Sequence, residues 1–138
     1  MKKKLLITLG ILVAVAAATA FTIELIPAKF DYGTSEIYSL REIEAAANFV
    51  ADKVNALEGC KLFAVRYDGD EISRNNLDYC NSLAKDGKIY TDCIVFTSVF
   101  RSPVFGGGAW NANSIYTWSW YLARAEGGEW EEITHGYA

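Results

Sequence analysis

The sequence predicts an α+β domain in which one long helix lies across a curved, four-stranded, mainly antiparallel sheet. Three observations predict it. Apolar residues recur at helical spacing from Leu40 to Leu57. Four shorter runs rich in β-branched and aromatic residues follow, and the last two are joined by a turn of hairpin length. A helix with an apolar stripe must bury it, and the sheet is the surface available.

The chain opens on Met1-Lys2-Lys3-Lys4, and an uncharged run from Leu5 to Ile23 follows, passing through Ala18-Thr19-Ala20. A basic start, an apolar stretch and small residues at an A-x-A step are the parts of a secretory signal, so residues 1–20 read as a signal peptide cleaved before Phe21. The uncharged run also approaches the ~20 residues needed to cross a bilayer, so the alternative is an uncleaved anchor reaching to about Ile23. In both cases the lysines stay on the cytoplasmic side and the domain is extracytoplasmic, secreted or at the cell surface. No cysteine lies near the cleavage region, which argues against an acylated lipoprotein. A pilin-type leader is excluded because its apolar helix follows the cleavage point, whereas here it precedes it.

Residues 21–38, with Pro27, Gly33 and scattered charges, show no period and read as a linker. Residues 39–138 read as a single domain. Ser39 and Glu42 form the S-x-x-E capping box that starts its helix, with Tyr38 and Ile43 at the staple positions. Ile43, Ala47, Val50, Val54 and Leu57 share one helix face, and Gly59 is the stop. Leu62–Tyr67 is the first strand, closed by Asp68-Gly69-Asp70. Asn75–Lys85 reads as a short second helix. Cys93–Phe100, apolar on both faces, is a central strand. Residues 101–113 form a loop with Pro103 and Gly106-Gly107-Gly108. Ile115–Arg124 and Trp130–Thr134 are the last two strands, turned at Glu126-Gly127-Gly128-Glu129. A helix across such a sheet is the cystatin-like or NTF2-like arrangement, an analogy of fold that carries no function.

The formal net charge is −4, with 13 basic and 17 acidic residues. Losing the three lysines of the signal leaves 10 basic residues and a net −7. That balance excludes nucleic acid as a partner, and it leaves the membrane approachable only through the N-terminal segment. Cys60, Cys80 and Cys93 all lie in the exported part, where a disulfide is permitted, and sequence leaves the three pairings open. There is no C-x-x-C, and with His135 the lone histidine no zinc set is expected. No cofactor motif is present.

Several groups carry possible chemistry. Tyr116, Trp118, Trp120 and Leu122 alternate onto one strand face, which reads first as core and second as the wall of a site for a sugar, a peptidoglycan fragment or a lipid. His135 would be a general base if the fold brought Asp92 or Asp68 to it, but no nucleophile motif accompanies it. Asp68-Gly69-Asp70-Glu71 lacks the spacing of a calcium loop and reads as a solvated turn. In the glycine loop, Phe105 and Trp110 are apolar residues on a pliable backbone. The ligand- or partner-binding residues expected are therefore Phe105 and Trp110, backed by Trp118 and Trp120.

The stretch Asn113-Ser114-Ile115-Tyr116-Thr117, then Trp120-Tyr121-Leu122-Ala123-Arg124, Gly127-Gly128-Glu129-Trp130 and Gly136-Tyr137, resembles a family of short secreted proteins of unknown function from Gram-positive, largely gut-dwelling bacteria. Glu58-Gly59-Cys60 is similar too. The resemblance spans Ser39 to Tyr137 but departs at 101–109 and 73–92. It implies location and fold and brings no activity. The function expected is a non-catalytic exported module that binds an unidentified protein or a cell-envelope ligand. The alternatives are a small-molecule enzyme with an NTF2-like pocket or a cystatin-like protease inhibitor.

Overall fold

The structure, a computed structural model, describes residues 2–138. Its elements run α1 (Lys2–Leu25), β1 (Lys29–Asp31), α2 (Leu40–Asn55), β2 (Lys61–Tyr67), α3 (Asp70–Asn75), α4 (Leu77–Ser82), β3 (Asp92–Arg101), β4 (Ile115–Arg124) and β5 (Glu131–Tyr137). The strands lie side by side in chain order, with β1 parallel to β2 and every other pair antiparallel. The sheet is thus mixed and five-stranded, where four strands were expected. The added strand comes from the stretch read as a linker. It aligns Lys29–Asp31 with Ala64–Arg66, and α2 is the crossover that a parallel pair requires.

The N-terminal helix α1 is exposed at its described side chains apart from half-buried Ile23, and it is long and apolar enough to cross a membrane. Its last turn reaches the domain through Glu24. The Glu24 carboxylate accepts from Arg101 Nη2, and its carbonyl accepts from Lys61 Nζ at 2.9 Å.

The capping box forms as expected. Ser39 N–H donates to Glu42 Oε2 at 2.8 Å, and Glu42 N–H donates to Ser39 Oγ at 3.3 Å. The helix it starts buries Ile43, Ala46, Ala47, Val50, Ala51 and Val54. Most of these side chains are small, and they meet large ones on the sheet. Phe96, Phe100 and Trp120 are fully buried beneath them, with Tyr67 and Tyr116 alongside. The registers Phe96↔Trp120 and Phe100↔Tyr116 set these aromatics on one face. An irregularity between Leu62 and Ala64 shifts the phase of β2, so that Leu62, Val65 and Tyr67 all reach the same core.

Arg124 locks the helix start to the sheet. Its Nη2 donates to Glu42 Oε1 at 2.6 Å and its Nε to Asp92 Oδ2 at 3.0 Å, while the guanidinium lies 4.3 Å from the Trp130 ring centre. Asp70 pins the approach to α2. It accepts from Ser35 Oγ (2.6 Å), Tyr67 Oη (2.7 Å) and Glu36 N–H (2.7 Å). The acidic turn is therefore the start of α3 and a structural acceptor.

The other sheet face carries a smaller cluster of Cys80, Tyr90, Cys93, Val95 and Ala123 under α4. The second helix expected over 75–85 is the shorter α4, and a further short helix, α3, precedes it over Asp70–Asn75, where a turn was expected. Asn76 separates them, with its Nδ2 donating to Ile72 carbonyl at 2.8 Å, a local bond that competes with helix continuation.

Two outcomes test this packing. Ala47→Leu forces extra volume under α2 and should destabilise the domain by about 1–3 kcal/mol, read as a lower urea midpoint at unchanged slope; an unchanged midpoint would mean that the helix does not press on the sheet. Val50→Asp should unfold it, because an unpaired buried charge costs several kcal/mol.

The Arg124 hydrogen bond, with those from Ser39, holds the Glu42 carboxyl down from about 4.5 to about 2. Its stabilisation is therefore complete above pH 4.5 and is lost as pH falls toward 2. The stability difference between wild type and Glu42→Gln should shrink over that window, by urea titration at pH 6 and pH 2.5. A constant difference would show that the carboxylate charge plays no part.

Candidate functional site

The loop of residues 102–114 leaves β3 at Arg101 and returns to β4 at Ile115. It is closed by its own hydrogen bonds. Buried Ser102 donates its hydroxyl to Asn111 carbonyl and accepts Ser114 N–H at 2.9 Å, and the backbone pair Ser102 N–H to Ser114 carbonyl shuts the neck at 2.9 Å. Gly106 N–H and Asn113 N–H both donate to Pro103 carbonyl at 2.9 Å. Gly106 sits at φ +69°, and a Cβ there would stand 3.0 Å from Trp110 carbonyl oxygen. The glycine that read as a source of pliability is thus required by a tight backbone crossing.

Phe105 stands at the tip, 97% exposed. Trp110 folds back onto the sheet and meets Tyr116 edge-on at 5.0 Å and Phe100 edge-on at 5.9 Å. It also lies 5.7 Å from Trp118 with the rings 28° from parallel. Trp118 carries the stack onward to His135 at 4.7 Å and 21°, and Tyr137 meets it edge-on at 6.5 Å. Trp110, Trp118, His135 and Tyr137 so form a continuous aromatic platform on the helix side of the sheet. Tyr137 is 79% exposed, and Trp110 and Trp118 are half-buried. Trp118 Nε1 is buried and has no hydrogen-bond partner among the described residues. Beside the platform, Pro103, Gly106, Gly107 and Trp110 face Ala56–Gly59 across a cleft of about 550 Å³.

The sequence-expected residues divide. Phe105 is presented to solvent, and Trp110 lines the cleft. Trp118 joins them through the stack, whereas Trp120 is 2% exposed and its Nε1 donates to Ser98 Oγ at 2.8 Å, which makes it core. His135 and Tyr137 belong to the platform and were not expected there. The hairpin register supplies them, because Trp118 faces Tyr137 and Trp120 faces His135. Period-two alternation through His135 and Tyr137 was the signal that could have found them.

The partners considered for His135 lie elsewhere. Asp92 is taken by Arg124, and Asp68 accepts from Thr97 Oγ1 at 2.8 and 3.0 Å. His135 Nδ1 instead lies 2.6 Å from Glu132 Oε1, and Glu132 Oε2 is 3.2 Å from Lys53 Nζ of α2. This pair exists because β5 carries an extra residue opposite Tyr121 and Leu122, which brings Glu132 and His135 to one face.

No protein-family model, curated protein or solved structure matches the chain.

The loop geometry makes a paired prediction. Gly106→Ala should cost about 2–3 kcal/mol, because strain at positive φ adds to the crossing at Trp110, whereas Gly108→Ala, with open space around it, should cost about 1 kcal/mol. Urea midpoints decide it, and equal costs would mean that the crossing is not tight. Phe105→Ala should leave the midpoint unchanged.

Proposed function

We propose that this chain is an exported, non-catalytic binding module for a cell-envelope saccharide, taken on the platform of Trp110, Trp118, His135 and Tyr137. The observation that carries the proposal is the continuous stack of part-exposed rings from Trp110 through Trp118 to His135, with Tyr137 edge-on beside it. Flat rings supply the apolar faces that a pyranose lies against, and few placed polar groups then orient it. Phe105, on the same loop, adds apolar contact at low structural cost.

Export is supported by the lysine cluster and apolar helix at the N-terminus. The cystatin-like order of a helix followed by antiparallel strands is compatible with this role. An NTF2-like enzyme pocket has less support, because Phe96, Phe100 and Trp120 fill the space between α2 and the sheet. A protease-inhibitor role would need the glycine loop to reach a partner protein, and inhibition of an added protease without glycan binding would favour that role.

That test is cosedimentation with purified peptidoglycan sacculi and titration with chitooligosaccharide followed by tryptophan emission. Saturable binding should appear. Trp110→Ala should weaken it at least ~10-fold with far-UV dichroism unchanged, and Trp118→Phe, which keeps a ring of smaller face, about 3- to 10-fold. Absence of binding to both probes, inhibition of an added protease without glycan binding, or wild-type affinity in Trp110→Ala overturns the proposal. Export is read separately: the chain should be recovered from the medium starting near Phe21, or full-length in membranes, and an intact chain in the cytosol refutes it.

A further inference from the structure

We infer that Cys80 and Cys93 are the site of a structural disulfide, formed by thiol–disulfide exchange with an oxidised disulfide donor, and that Cys60 stays a thiol. Three observations point to this pairing. Cys80 Sγ and Cys93 Sγ are 3.2 Å apart, close enough that a small side-chain rotation brings them to bonding distance. Both are buried in the cluster that α4 makes with β3 and β4. Cys60 packs with the cluster on the opposite face, so the sheet stands between it and either of the others. Of the three pairings that the sequence left open, the fold brings one together.

The element that this bond would hold needs holding. α4 has six residues, far below the length at which a helix persists by itself. Asn81 fastens it by donating Nδ2 to Tyr90 carbonyl at 3.0 Å and accepting Tyr90 N–H at 2.8 Å. Leu77 and Cys80 supply its apolar contact. A covalent link to β3 closes a loop over thirteen positions of sequence and removes chain entropy from the unfolded state.

The chemistry balances in two exchanges. Before α4 closes over it, the Cys80 thiolate attacks a sulfur of the donor disulfide, and one donor thiol leaves. Cys93, deprotonated as it attacks, displaces the second donor thiol from Cys80. Two S–H bonds are lost, one S–S bond forms, and two electrons with two protons end on the donor as two thiols. The shared hydrogen bond and burial raise the Cys93 thiol, and the same balance holds with either thiol attacking first. Burial also raises the Cys60 thiol, which slows its competition.

The pairing rests on the export reading only for the place where oxidation happens, so the test is carried out in vitro. The purified full chain is reduced and unfolded, refolded in a buffer of reduced and oxidised glutathione, quenched in acid, unfolded in guanidinium with N-ethylmaleimide, and mapped by mass spectrometry. One label, on Cys60, and a cross-linked peptide joining Cys80 to Cys93 are expected. Three labels, a bridge that includes Cys60, or stable glutathione on Cys80 or Cys93 overturns the inference. Reduction should lower the melting midpoint of the oxidised chain by on the order of 10–20 °C. Cys60→Ala should keep that shift, and Cys80→Ala/Cys93→Ala should melt at one temperature with or without reductant. A wild-type midpoint indifferent to reductant also overturns it. Because no step uses secretion, a chain that forms this bond in the tube yet stays in the cytosol would refute export alone.

Discussion

The close approach of α2 to the sheet is the constraint on which the rest of the structure depends. Ala46, Ala47 and Ala51 keep the helix face low, and that lets Phe96, Phe100 and Trp120 stand up from the strands and still be fully covered. Volume is moved from helix to sheet, and the packed layer between them is filled. Ligand chemistry is thereby displaced to the periphery. Trp118, between buried Tyr116 and Trp120 on the same strand face, keeps aromatic character without full burial, and its stack runs outward to His135 and Tyr137 of β5. Core and platform share one sheet face, with the platform on its β5 side.

Polar groups set how the elements attach. Arg124 satisfies a helix-start carboxylate and a strand carboxylate together, and it spreads its remaining face over Trp130 and Tyr38. Losing either acid would leave the partly buried guanidinium short of a partner, so the three charges behave as a unit. Tyr38 acts similarly at the staple position. Its ring packs in the core, and its hydroxyl donates to Cys93 carbonyl at 2.7 Å, joining the helix approach to the central strand.

The sequence made some of this legible and hid the rest for identifiable reasons. Ser39, Glu42 and the spacing from Ile43 to Val54 announce α2 through local chemistry alone, and the structure follows them closely. β4 was equally plain, because alternation from Tyr116 to Leu122 names the buried face. β1 was not, since Lys29-Phe30-Asp31 has a single apolar residue and becomes a strand through the pairing that β2 offers. Alternation also told which face Trp118 takes without telling how its neighbours cover it, so its unpaired N–H could not be foreseen. The approach of His135 to Glu132 depends on an inserted residue in β5, and nothing in Glu-Glu-Ile-Thr-His marks a bulge. The glycine triplet suggested looseness, yet its positive φ angles fit a hydrogen-bonded turn around Pro103.

The two outer margins of the sheet have a consequence for how molecules meet one another. On one side the terminal strand is three residues long, which leaves about 10 Å of unpaired backbone. On the other, β5 is interrupted at Ile133 and carries Glu131 and Glu132, whose charges are held by Lys88 and Lys53. A strand from a neighbouring copy finds too short a ladder at one margin and a kinked, charged one at the other. Strand-by-strand pairing between copies is therefore disfavoured at both margins.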